Sequence, residues 1–403
     1  MELTVDEIAE SLTLGDHRNL DRQMVRGALG LLVVGSGLFR SSVKLGLGSP
    51  QVVHVVASAV AHGARLTAAA GSALGALTVA RVADARLSDV AVDADAPGIS
   101  PRSMRSVVNR RHVREALRIR RRAAGSVVRA LSASRVYAEY LFLAQAIRYA
   151  IARDAVADLP ESSVVLTDFD RHAYSRPWIW AANQRGLRTI TMVHGSPNRN
   201  YVPVLAGSVL AWGQVQADWF AARSPEVRVE IVGRPEVREV ELQPAPLRRV
   251  VICHSAEELS AAEAERLIDT VGELRDRGIE TSVRLHPSVP ADRVAGRWAD
   301  VVRAAGCVVE TRDSFIESLS AGDGVICVSS TAAVEAMVIG TPVAVVADAA
   351  RELPADLEAL RDENPVETLT IARPTHDVSR IVAATGDAAE ARMAEAMQVM
   401  TSQ

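Results

Sequence analysis

Two short motifs place hydroxyl, imidazole and carboxylate groups where the chain turns out of an apolar run. The first is Arg284-Leu285-His286-Pro287, closing the run Thr281–Leu285. The second is Ser329-Ser330-Thr331, which follows Val325–Val328 and precedes a helical stretch starting at Ala332. Hydroxyls at a strand-to-helix turn, with the free N–H groups of the first helical turn beside them, form a site for phosphate. A histidine that ends an apolar strand, as His286 does, can donate to a phosphate or contact a base. Glu335 lies one helical turn past Thr331 on the same face, suitably placed for a ribose hydroxyl. Gly340-Thr341-Pro342 then ends the helix and sends the chain into the next strand. Serines at such a turn also act simply as helix caps; it is His286, two strands earlier in the same unit, that tips the reading toward nucleotide binding.

The chain that carries these motifs has 403 residues, enough for two or three domains at about 100–200 residues each. Hydrophobic residues make up 48% and charged residues 23%, a globular balance that argues against disorder. Aromatics are only 4%, so Ala, Val and Leu must build most of the core. Lys44 is the only lysine and sits in no phosphate-loop motif, which removes Schiff-base and Walker-type chemistry. Cys253, Cys307 and Cys327 are odd in number and lack metal-ligand spacing, which implies reduced thiols in a cytoplasmic protein. The acidic, polar start MELTVDEIAE is no secretory signal. The longest uncharged apolar runs, Gly27–Phe39 and Leu66–Ala80, are shorter than the roughly 20 residues of a spanning helix.

Residues 1–150 read as mostly helical and alanine-rich, with weak strand signals at Leu31–Val34 and Val52–Val56. From Ser162 onward, short apolar runs alternate with amphipathic ones: Val164–Thr167, Thr189–Val193, Val209–Trp212 and Val227–Val232 read as strands. A charged stretch with two prolines, residues 237–249, reads as a linker. Beyond it the alternation restarts with Val250–Cys253, Thr281–Leu285, Val308–Glu310, Val325–Val328 and Val343–Val346 as strands, and Gly386–Met400 as a terminal helix. Alternation of this kind predicts the α/β class, with parallel sheets and crossover helices. The expected architecture is two Rossmann-like doubly wound domains facing across a cleft, with a helix-rich N-terminal part. Residues 1–236 would form the acceptor side, and residues 250–403 the nucleotide-donor side. In open α/β sheets ligands sit at the carboxyl ends of the strands.

The order HP, then SS/T with a downstream glutamate and Gly-Thr-Pro, resembles the nucleotide half of bacterial sialyltransferases, polysialyltransferases and related capsule-polysaccharide transferases of the GT-B fold. The first half resembles the same group through TDFD (Thr167–Asp170), GLRTITMVHG (Gly186–Gly195), YVPV (Tyr201–Val204) and LAWG (Leu210–Gly213), and VGRPEV (Val232–Val237) continues it. The resemblance covers roughly residues 160–350. It implies a nucleotide-sugar donor, with a CMP-sugar favoured, held by His286, Pro287, Ser329, Ser330 and Thr331 beside Glu335. It also implies transfer to a cell-surface glycan or lipid-linked acceptor by a GT-B enzyme, inverting in mechanism. The acidic D/E-D/E-G motif of the polysialyltransferase group does not occur here; Asp168 and Asp170 stand as the substitute candidates.

The general base must come from the first half, facing the donor, and take a proton from the acceptor hydroxyl as it attacks the anomeric carbon. Asp168 follows the strand Val164–Thr167 and His194 follows Thr189–Val193, so both are candidates. Each also has a plain structural reading, Asp168 as a helix N-cap and His194 as a core histidine. Asp170, His172 and Arg176 are weaker candidates for contacts to the acceptor. Asp168-Phe169-Asp170 is literally the DxD of metal-dependent GT-A transferases, but that assignment would leave the HP and SST motifs idle. No metal and no further cofactor is therefore expected, with arginines and helix N-termini stabilising the leaving phosphate.

Net charge is −4, unevenly spread. Arg102 to Arg122 holds nine arginines against Glu115, a local +8 that leaves −12 for the rest. Such a stretch fits an anionic membrane surface, at the inner face of the cell membrane, or a solvated face paired within the fold. Nucleic acid is not expected, since the chain is not basic overall and no aromatics alternate with the arginines. Three other functions share these features. A UDP-sugar 2-epimerase fits Val250–Glu258 (VVICHSAEE), which is similar to the start of that family's second half. A CDP-glycerol-type glycerophosphotransferase would keep the cytidine site, and an inactive partner of a polysaccharide assembly complex would keep the pockets alone.

Overall fold

The computed structural model describes residues 79–81, 110–122, 146–157 apart from 148 and 155, 161, 164–167, 170, and 176–402 apart from 194, 236, 238–241, 256, 287–288, 290–293, 310–314 and 371–376. The strand expectations at Leu31–Val34 and Val52–Val56 lie outside these residues. So do the site candidates Asp168, His172, His194 and Pro287.

The described residues open with β1 (Val79–Arg81) and α1 (Arg110–Arg122). The first half continues with β2 (Val164–Thr167), α2 (Arg176–Arg185), β3 (Arg188–Met192), β4 (Ser208–Ala211), α3 (Gln214–Arg223) and β5 (Arg228–Ile231). All neighbouring pairs are parallel and the order is β1-β2-β3-β4-β5. The second half holds β6 (Arg249–Cys253), α4 (Ala261–Asp276), β7 (Glu280–Arg284), α5 (Arg297–Ala305) and β8 (Val308–Val309). It ends with β9 (Asp323–Cys327), α6 (Ala332–Val338) and β10 (Val343–Val345). Its strands are again all parallel, in the order β10-β9-β6-β7-β8. Four further helices close the chain: α7 (Ala355–Glu358), α8 (Pro365–Thr370), α9 (Val378–Ile381) and α10 (Gly386–Ser402). This is the expected α/β architecture of two Rossmann-like units.

Local sequence explains the elements. The core of β6 (Val250, Val251, Ile252, Cys253) and all of β9 are buried, as a parallel sheet covered on both faces requires. Helix α4 starts at a capping box: Ser260 Oγ accepts the Glu263 N–H at 3.1 Å, and Glu263 Oε2 accepts the Ser260 N–H at 2.8 Å. Helix α5 stops at Gly306, whose φ of +73° gives the left-handed turn that favours glycine.

The halves are laced together. β5 ends at Ile231 and β6 begins at Arg249, yet the chain crosses between the halves again after α8. Ala383 N–H donates to Trp212 O at 2.9 Å, and Arg234 N–H to Ala384 O at 2.8 Å. Helix α10 then lays Met393 and Ala396 on the first sheet, against Val164, Ile190, Met192, Leu210 and Val232. The division read from the sequence leaves this helix with the second half; its buried side chains lie on the first. Among the described residues no helix is long and apolar enough to cross a membrane, and no cluster of three metal-ligating side chains occurs.

Candidate functional site

In the second sheet the strand order reverses between β6 and β9, because the chain runs outward through β7 and β8 and returns to the other side of β6. In open α/β sheets such a reversal, at the carboxyl ends of the central strands, is the usual ligand position. His254 and Ser255 follow β6, His286 follows β7, and Ser329-Ser330-Thr331 follow β9. The structure therefore brings His286 and the SST turn to one edge, and adds His254 between them.

His254 is 6% exposed, its ring centroid 4.7 Å from that of Trp298. Burial, helped by the positive potential of His286, pushes its pKa down to about 4, so the ring is neutral at pH 7. Its Nδ1 is buried without a hydrogen-bond partner among the described residues. His286 itself is exposed. The rule that selected His286, a histidine ending an apolar strand, selects His254 as well; the missed signal was Val250–His254.

The hydroxyls are not equivalent. Ser329 Oγ donates to Glu257 Oε2 at 3.0 Å, and Glu257 also receives Arg351 Nη1 at 2.7 Å. Arg351 is held in turn by Glu263, which is fully buried, with Nη2 to Oε2 at 2.6 Å. Burial pushes the Glu263 carboxyl up, but bonds from Arg351 and from the Asp348 and Ser260 amides outweigh it and hold the acid below its usual range. Ser330 Oγ accepts the Ala332 N–H at 3.3 Å, whereas the Thr331 side chain makes no cap bond.

The first-turn amides expected to be free are taken. Ala333 donates to Ser330 O, and Val334 and Glu335 both donate to Thr331 O. What α6 offers a ligand is thus the Thr331 hydroxyl rather than an open row of N–H groups.

Glu335 faces the first half. Its Oε1 accepts from Arg234 Nη2 at 3.1 Å, and the Arg234 guanidinium lies 4.2 Å from the centroid of Trp212. Gly195, next to the position of His194, approaches the SST turn: a Cβ built on it would lie 3.7 Å from Thr331 Cγ2. The β3 end of the first half and the SST turn of the second therefore meet.

Two acceptor-side candidates are enclosed. Asp170 is 1% exposed, and its Oδ2 accepts the Ala206 N–H at 2.8 Å and the Leu205 N–H at 2.5 Å, tying the β2 end to the segment before β4. Arg176 is 2% exposed and lies 5.9 Å from the Trp180 ring centroid. In helix α1, Arg111, Arg114, Arg118 and Arg121 are exposed at helical spacing with Leu117 beside them, while His112 and Ala116 are buried. His112 Nε2 meets Asp154 Oδ2 at 3.0 Å, and Arg118 and Arg153 both donate to Glu115. Arg114 and Arg121 have no acidic partner among the described residues.

No family model matches the chain, and no curated protein matches it either. Among solved structures it is similar to a mutant of Staphylococcus aureus TarM in complex with Fondaparinux, alpha-GlcNAc-glycerol and UDP. There the identity is 11% over 62% of this chain, with a TM-score of 0.37, and the aligned part spans 55% of TarM. It is also similar to Methanocaldococcus jannaschii UDP-GlcNAc 2-epimerase, at 9% identity over 68% of this chain and 84% of that one, with a TM-score of 0.42. Neisseria meningitidis UDP-GlcNAc 2-epimerase bound to UDP-GlcNAc gives 12% identity over 65% and 81%, with a TM-score of 0.40.

Proposed function

We propose that the protein is a metal-independent glycosyltransferase that moves a sugar from a nucleotide-sugar donor to a glycan or lipid-linked acceptor. The observation that carries this is the convergence of His254, His286 and Ser329–Thr331 at the β6/β9 reversal, with Gly195 of the other half against Thr331. The donor phosphate would sit among the two imidazoles and the Thr331 hydroxyl, with Glu335 toward the ribose. The acceptor hydroxyl attacks the anomeric carbon and gives its proton to Asp168 or His194. The sugar–phosphate bond breaks with its electron pair passing to the phosphate oxygen, which inverts the anomeric configuration. The motif resemblance favours cytidine as the base.

Thermal-shift measurements against CMP, CDP, UDP and GDP test the reading. A nucleotide at 100 times its Kd adds about 2.7 kcal/mol of stability, and silence from all four would remove the donor site. Asp168→Asn should then keep nucleotide affinity while turnover falls by roughly 100- to 10,000-fold; if it does not, the proton belongs to His194.

A UDP-sugar 2-epimerase is the second reading, favoured by one observation: His254 stands at the reversal point within Val250–Glu258. Incubation with UDP-N-acetylglucosamine and detection of the 2-epimer by NMR separates the two.

The acceptor proposal extends to the membrane, through charge complementarity between the exposed arginine stripe of α1 and anionic lipid. At about 1 kcal/mol per engaged basic residue, changing Arg114, Arg118 and Arg121 to Gln should abolish sedimentation with phosphatidylglycerol vesicles at low salt. A parent protein that stays in the supernatant would leave the stripe as a solvated face.

A further inference from the structure

Between the halves runs a seam of buried polar contacts that the nucleotide site does not use. Its centre is Asp356 on α7, fully buried. From the second half, Asp356 N–H donates to Ser196 Oγ at 2.9 Å, and the preceding Ala355 N–H donates to Pro197 O at 2.8 Å. Ser196 and Pro197 belong to the segment directly after Gly195, the residue that approaches Thr331. The Asp356 side chain reaches a second element of the first half: its Oδ2 accepts Gln216 Nε2 at 2.7 Å. Gln216 is itself fully buried, and its Oε1 accepts the Trp212 N–H at 2.8 Å. Residue 356 thus fastens the segment after β3 through its backbone N–H and helix α3 through its carboxyl.

The carboxyl is only half served. Oδ1 is buried with no hydrogen-bond partner among the described residues, a poor setting for an ion and a better one for a protonated acid. We propose that Asp356 is a positioning residue: its carboxyl clamps helix α3 to the second half, so that the segment 195–197, bonded to the amides at the start of α7, stays in register with the SST turn, and this clamp is firmer when the acid carries a proton. What that register would serve rests on the function proposed above; the join itself does not.

Among the described residues, the charges around it are accounted for. Arg234 bears on Asp356 from the first half while paired to Glu335 of α6. On α3, Asp218 faces Arg380 at 3.8 Å; on α7 itself Glu358 is held by Arg361; and Arg199 lies 3.8 Å from Glu352. Burial raises the Asp356 pKa to about 6, against the lowering effects of Gln216, Ser196 and Arg234. Released to solvent, the acid returns to its ordinary value of 3.8. The joined form therefore binds the extra proton, so the join is fully favoured below about pH 4, weakens as pH rises toward 6, and stays weakened above.

The test needs no substrate. Nitroxide labels at Glu226→Cys and Asp276→Cys, exposed positions one in each half, in a Cys307→Ser background, report the distance between the halves from pH 5 to 7.5. The expected result is a distance distribution that broadens as pH rises in the parent and stays narrow throughout in Asp356→Asn, which is neutral at every pH. Gln216→Leu removes the Oδ2 partner and should broaden the distribution even at pH 5, which serves if Asp356→Asn does not fold. An Asp356→Asn protein with the parent's pH dependence, a parent with none, or a Gln216→Leu protein indistinguishable from the parent overturns the proposal. Because only distance is read, failure here is separable from failure of the nucleotide reading.

Discussion

Arg234 and Glu335 stand 101 residues apart in the chain and form an ion pair, 3.1 Å from Nη2 to Oε1, across the boundary between the two sheets. Arg234 is 4% exposed and Glu335 has 27% of its side chain exposed. Changing Glu335 to Gln keeps the shape and removes the countercharge of a buried guanidinium. Breaking a fully buried pair costs about 3–5 kcal/mol; with one partner in reach of solvent, roughly 2–3 kcal/mol is expected. Urea unfolding should show a lower midpoint with an unchanged slope. An unshifted midpoint would mean that Arg234 is satisfied by its other contacts.

His286→Ala and Thr331→Val address the donor site without touching the fold. His286 is exposed and the Thr331 hydroxyl takes no part in capping α6, so neither change should lower the melting temperature. Each would remove a hydrogen bond to a charged phosphate, worth about 1.5–3 kcal/mol, or roughly 10- to 150-fold in affinity. Calorimetric titration with the nucleotide found by thermal shift measures it, and undiminished affinity in both variants would move the site elsewhere.

Nucleotide binding should take up a proton. The His254 pKa, held at about 4 by burial and by His286, must rise when a phosphate anion is placed beside the ring. The complex then holds more protons than the free protein, so affinity increases as pH falls toward the free value. Titrations in buffers of different ionisation enthalpy give the number of protons directly, and His254→Ala should bring it down. A proton count of zero in the parent would show that the phosphate does not meet this ring.

Gly233→Ala should part the seam between β5 and the segment before α10. Gly233 has φ of +87°, and a Cβ there would fall 2.2 Å from Ala384 O, a backbone atom that cannot step aside cheaply. The left-handed conformation costs roughly 1–2 kcal/mol for a non-glycine residue, and overpacking adds about 1–3 kcal/mol. A thermal melt should fall by several degrees at least; a melt within one degree of the parent would show that the segment moves freely.

Much of this molecule was legible in the sequence. The run Val164–Thr167 occupies the expected residues, and most other strands fall within one or two positions of theirs. The reason is physical: strands buried on both faces leave uninterrupted β-branched runs, and those runs survive in any context. Helix α4 begins at Ala261, where the capping box Ser260–Glu263 fixes its start; that signal was present and unread.

The partners could not be read this way. Nothing in the spacing of Gln216 and Asp356, or of Arg234 and Glu335, announces that they touch, since each pair is joined by the packing of two separately formed sheets. The expectation of open amides before α6 failed for a local reason: the SST turn closes on itself, so its carbonyls consume the N–H groups first.

The return of helix α10 to the first sheet has a consequence for how the protein is made. Translation delivers β2 to β5 early, yet the face formed by Val164, Ile190, Met192, Leu210 and Val232 waits for Met393 and Ala396. The second sheet, complete once β10 has left the ribosome, has its strands in hand before the first sheet has its cover. Among the described residues, that apolar face has no other cover while residues 250–385 are being added.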